Sequence, residues 1–90
     1  MAVTVNLHPW LSDIAGGQRR VQVAGRTVGE CMDRVFERFE GLKERLVNPE
    51  GRIRAYITVL LNGENTYPEE LTRPVSDGDE ISFIFVIDGG

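Results

Sequence analysis

Side chains that usually carry chemistry are few in this sequence. It holds one histidine, His8, one cysteine, Cys31, and no grouping of His, Cys, Asp and Glu at metal-ligand spacing. Neither a bound metal or cofactor nor catalysis by side chains is expected from such a set. His8 stands beside Pro9 and Trp10 at the end of an alternating segment, with no residue marked out as a proton-transfer partner, so a surface or turn role is expected. Cys31 falls among apolar residues at helical spacing, which predicts a buried, unreactive thiol. Gly16-Gly17 lacks the strand-to-helix setting of a phosphate loop and reads as a turn.

The remaining candidate is the main chain itself, at Ile87-Asp88-Gly89-Gly90. Two residues without side chains would carry the α-carboxylate of Gly90 beyond the last strand. Glycine there leaves no Cβ to block a narrow channel, accepts φ of either sign, and leaves the carbonyl open to attack. Three residues past Ile87 extend by about 10 Å, enough to enter a partner's cleft. A carboxylate is a poor acyl donor because its leaving oxide is too basic. Use of Gly90 therefore requires activation, most naturally to an acyl-adenylate with ATP, and an external enzyme has to supply that step.

The elements that would mount this tail follow from periodicity. Val3, Val5 and Leu7 alternate with polar residues, a half-buried strand closed by Pro9, and Val21 and Val23 repeat the pattern after a turn-rich stretch from Trp10 to Gln18. A hairpin is expected. Thr27 precedes Glu30 by three residues, the spacing of a capping box, and Val28, Cys31, Met32, Val35, Phe36, Phe39, Leu42 and Leu46 recur at three- and four-residue steps. An amphipathic helix is predicted there, bent or ended at Gly41 and stopped by Asn48-Pro49-Glu50-Gly51. A third strand from Ile53 to Leu61 ends at Asn62-Gly63, a two-residue turn signal. The polar stretch from Glu64 to Glu70 is expected to be irregular or a short strand, and Pro74 confines any strand in Leu71 to Val75 to an edge. After the turn Ser76-Asp77-Gly78-Asp79, the run from Glu80 to Ile87 is the most strand-like of all.

This order gives the α+β class: a β-grasp of four to five strands in a mixed sheet, with one main helix across one face and the first and last strands adjacent at its centre. Central placement accounts for a last strand that is apolar on both parities. With Ile81, Phe83 and Phe85 toward the helix, Ile84 and Val86 fall on the open face and, with Ile87, are the predicted partner-binding residues. Ninety residues suit a single domain spanning 1–90, with 88–90 as a flexible tail. Ten Lys and Arg against fourteen Asp and Glu, a net charge of −4, supply no broad basic face for nucleic acid or anionic lipid. A lone cysteine forms no internal disulfide, and no apolar run of signal or membrane-span length opens the chain, so a cytoplasmic location is expected.

Leu61-Asn62-Gly63-Glu64, the Asp77-Gly78-Asp79-Glu80 turn into the last strand, and Gly89-Gly90 together resemble the sulfur-carrier branch of the ubiquitin-like superfamily. That branch includes the molybdopterin-synthase small subunit and the thiamine-thiazole sulfur carrier. The stretch from Gly41 through Asn48-Pro49-Glu50-Gly51 to Ile57 is similar to the carrier serving cysteine biosynthesis. The resemblance implies that a ubiquitin-activating-type enzyme adenylates Gly90 with ATP. A sulfur donor protein then converts it to a thiocarboxylate, and an acceptor synthase in molybdopterin or cysteine biosynthesis takes the sulfur. Only Gly89 and Gly90 carry the reaction over, with Asp88 leading into them. Two other functions stay open: a protein modifier joined to lysines through Gly90, and an interaction module with no use for the tail.

Overall fold

The computed structural model describes residues 2–86. Its centre is built by two strands far apart in the chain. β1 (Ala2–Asn6) buries Val3 and Val5, and β5 (Glu80–Phe85) buries Ile81 and Phe83; the two run parallel, with Val5 opposite Ile81. β2 (Arg20–Ala24) flanks β1 antiparallel, with Val21 and Val23 turned into the core. β3 (Ile57–Leu61) flanks β5 antiparallel, and the two-residue β4 (Glu64–Asn65) closes the far edge, giving the order β2-β1-β5-β3-β4. This is the expected β-grasp. Asn62 and Gly63 connect β3 to β4 with φ of 52° and 84°, the two positive values that the Asn-Gly signal predicts.

The helix begins where the sequence places it. α2 (Val28–Arg38) follows the cap Thr27, whose Oγ1 accepts from Glu30 N–H at 3.1 Å. The returning Glu30 carboxylate accepts from Arg26 N–H at 2.9 Å, one residue ahead of the cap itself. Val28 and Gly29 donate to the carbonyls of Arg73 and Leu71, so the 71–75 segment satisfies further donors of the first turn and Pro74 bridges to Thr27. A Cβ on Gly29 would lie 2.6 Å from the Leu71 carbonyl oxygen, which is why this turn has a glycine. The helix ends at Arg38, and the apolar stripe resumes in α3 (Leu42–Leu46) after Gly41, at φ 89°. Leu42 and Leu46 continue the stripe into the core.

Two expectations are corrected. The link from β1 to β2 is no plain turn: it holds a one-turn helix, α1 (Pro9–Ser12), whose Leu11 is fully buried, with Ala15 buried and Ile14 packed beside it. Pro9 fits its first position because no N–H is required there. The third strand starts at Ile57 and not at Ile53, which makes only an isolated bridge to Val47; residues 54–56 turn instead, with Ile57 N–H donating to Arg54 O at 2.9 Å. The last strand ends at Phe85, one residue short of Val86, which the expectation included; Ile87, the expected end, lies outside the described residues. None of the described helices is long and apolar enough to cross a membrane.

Candidate functional site

The predicted reacting residue Gly90, with Gly89, Asp88 and Ile87, lies outside the described residues; the structure shows what they are mounted on. β5 ends at Phe85, and Val86 is still held, its N–H donating to Tyr56 O at 2.8 Å. Ile84 and Val86 are 46% and 56% exposed. Ile84 stands on the face of the sheet away from α2, as the period of two predicts for both residues. Central placement therefore buries only one parity of β5, and the apolar character of Ile84 is not explained by packing.

Elsewhere on that open face Leu60 stands half-buried opposite Ser82, and a polar row crosses β2, β1 and β5. Arg20 Nε donates to Asn6 Oδ1 at 3.1 Å, and Asn6 Nδ2 donates to Glu80 Oε1 at 2.8 Å and Ser82 Oγ at 3.1 Å. Arg20 also stands 3.5 Å from the Glu80 carboxylate, an exposed pair that contributes little to stability. The apolar pair thus sits beyond this row, where the chain leaves the sheet.

On the helix side of the same exit is a group of rings that the sequence did not reveal. The half-buried Phe85 lies between His8, Trp10 and Tyr56, with ring centroids at 4.8, 5.2 and 6.3 Å, and His8 meets Trp10 edge to face at 5.5 Å. These are distances at which aromatic pairs attract. His8 fills the turn role expected of it in a specific way: it is the N-cap of α1, its Nδ1 accepting from Trp10 N–H at 3.1 Å. An accepting Nδ1 leaves the neutral ring's proton on Nε2. The Arg45 guanidinium donates to Trp10 O at 2.6 Å and faces the Asp13 carboxylate with two contacts of 3.4 Å.

Cys31 is remote from this end. It is fully buried, next to Gly25, where an added Cβ would come within 2.8 Å of its Sγ; Gly25 follows the end of β2 that pairs with Ala2. Burial, reinforced by the Glu30 carboxylate, pushes its thiol pKa upward and keeps it protonated. Among the described residues no cluster of three or more His, Cys, Asp or Glu could hold a metal ion. What the described residues do present at the end of β5 is a set of exposed apolar side chains, Trp10, Tyr56, Ile84 and Val86.

The ThiS family matches residues 5–90. The chain belongs to the ThiS family. Its relatives include the sulfur carrier protein CysO of Mycobacterium tuberculosis, 28% identical over the full length of both chains. A chain of the Amycolatopsis orientalis BexX/CysO complex is 36% identical, with a TM-score of 0.89 over 99% of this chain and 100% of that one. SAMP1 from Haloferax volcanii is 28% identical, with a TM-score of 0.85 over 100% of each. The fold is accordingly the ubiquitin-like β-grasp of CysO and SAMP1. Within this ThiS-family frame, the exposure of Ile84 and Val86 was legible from the strand period, whereas the positions of Trp10, Tyr56 and Arg45 were not. The only local signal for them was the spacing of Leu11, Ile14 and Ala15, which anchors the turn carrying Trp10.

Proposed function

We propose that the chain is a sulfur carrier protein, a substrate for other enzymes with no catalytic site of its own. Full-length similarity to CysO, with the family match running through residue 90, carries this reading. A carboxylate oxygen of Gly90 attacks the α-phosphorus of ATP on a ubiquitin-activating-type enzyme, and pyrophosphate leaves. The terminal sulfur of a persulfide on a donor protein attacks the acyl-adenylate carbonyl and AMP leaves; a thiol then opens the acyl disulfide to free the thiocarboxylate. An acceptor synthase of molybdopterin or cysteine biosynthesis draws on that sulfur, and the similarity to CysO favours cysteine. ATP serves the activating enzyme, and the carrier itself holds no cofactor. Such chemistry belongs in the cytoplasm.

The mount suits the task. Gly90 follows the central strand β5 by five residues in sequence, and Ile84 and Val86, exposed at the end of that strand, serve as a contact for the activating enzyme. A second reading, a modifier joined to lysine amines through the same activated carbonyl, is favoured by the similarity to SAMP1, the small archaeal modifier protein 1 of Haloferax volcanii. The test is pyrophosphate exchange into ATP by the activating enzyme. It should require the carrier and vanish when Gly90 is deleted; exchange that survives the deletion overturns both readings.

A further inference from the structure

We propose that Trp10 and Tyr56 form a rigid aromatic collar on which the adenylating enzyme seats while it holds the tail, and that this collar helps decide which enzyme the carrier fits. The inference rests on the reading of Gly90 as the adenylated residue. Among the described residues, the exposed large hydrophobic side chains are Trp10, Tyr56, Tyr67, Leu71, Ile84 and Val86. Four of the six meet where β5 ends: Trp10 and Tyr56 around Phe85 on the helix side, and Ile84 and Val86 beyond it. Trp10 and Tyr56 are each 47% exposed, although both touch a core-facing ring.

Chain length identifies the occupant. Four residues past Val86 span at most about 14 Å, so an enzyme acting on Gly90 must approach the exit at least that closely. A typical protein interface covers about 800 Å² on each partner, a disc of roughly 16 Å radius. Rings whose centroids lie 5.2 and 6.3 Å from that of Phe85 fall well inside such a footprint. The partner surface that fits them is an apolar rim around its tail cleft, and Trp and Tyr are the residue types that most often dominate such contacts.

The backbone that carries the collar is also braced before any partner arrives. Two adjacent residues of α3 brace its halves: Arg45 donates to Trp10 O at 2.6 Å, and Glu44 O accepts from Arg54 Nε at 2.9 Å, at the start of the turn carrying Tyr56. His8 caps the same turn as Trp10. A surface ordered in advance loses less entropy on binding.

The test compares adenylation of the full chain with that of the Trp10→Ala/Tyr56→Ala variant, using thermal melts to establish folding. KM for the carrier should rise at least about tenfold with kcat at saturation little changed. Trp10→Phe/Tyr56→Phe, which keeps the rings, should recover most of the loss, and Tyr67→Ala, beyond β4, should change nothing. Should the double alanine variant melt out, Tyr56→Ser alone carries the test, expected at a few-fold in KM. An unchanged KM in a folded variant, with the full chain adenylated normally, overturns the collar and leaves the reading of Gly90 standing. Failure of the full chain itself to be adenylated removes both.

Discussion

The two ends of the sheet are built from different materials. At the end where β1 and β5 begin, polar groups are tied to one another: Ala2 N–H donates to Asp77 Oδ1, Ser76 N–H to Asp79 Oδ2, and Asn62 Nδ2 to Asp79 Oδ1, while Asn62 Oδ1 accepts from Glu80 N–H. Backbone bonds from Gly78 to Ala2 O and from Asn62 to Glu80 O close the lattice. At the opposite end, where β5 hands over to the C-terminal residues, stand Trp10, Tyr56, Ile84 and Val86, half exposed and apolar. A protein concerned only with stability would have no reason to leave them in water. On the proposed function the difference is a division of labour: one end fixes the register of the central strands, and the other would present the C-terminal residues to a partner.

Breaking that division should be easiest at the exit. Ile84→Asp/Val86→Asp places two charges where the partner seats; adenylation should be abolished, while the melting temperature barely moves because the substituted side chains reach solvent. Adenylation that persists would falsify the docking role of the pair. A smaller effect of opposite kind is expected from Asn62→Ala, which removes two hydrogen bonds and replaces a side chain that tolerates the left-handed φ of 52° with one that does not. About 2 kcal/mol of stability should be lost in a urea melt with adenylation unchanged, and Asn62→Gly, free of the backbone strain, should lose less.

The smallest effect concerns pH. Hydrogen bonds from Asn62 and from Ser76 N–H hold the Asp79 carboxyl below its ordinary value of 3.8. The folded chain therefore binds that proton less readily than the unfolded chain. Its stabilising contribution is complete above the unfolded value and fades as pH falls through the folded one. Melts of the protein and of Asp79→Asn should differ at neutral pH and converge below about pH 4. A difference independent of pH would show that the ionised carboxylate adds nothing to the lattice.

Most of the frame was legible because local patterns and tertiary placement agree. Val3 with Val5, Val21 with Val23, and Ile81 with Phe83 alternate in sequence and are buried in space. Thr27 and Glu30 cap the helix that their spacing predicts, and Asn62-Gly63 makes the tight turn. α1 escaped because four residues are too short a window for a helical period, and its turn-forming neighbours hide the buried Leu11. Ile53 was drawn into β3 by its apolar character, yet it pairs only with Val47 across the Asn48 turn, whose side chain accepts from Glu50 and Arg52 N–H. The collar was out of reach for a further reason. Its rings come from residues 8–10, 56 and 85, and no local periodicity records a meeting of three distant segments.

The central claim, that the working group is the Gly90 carbonyl, is tested most directly by the intact mass of the protein purified from its native host. We predict a fraction in which one oxygen is replaced by sulfur, with fragmentation locating the change at Gly90 and its loss in a strain lacking the activating enzyme. A native chain carrying only oxygen there, under conditions of active sulfur assimilation and with no conjugates to other proteins, would contradict the account.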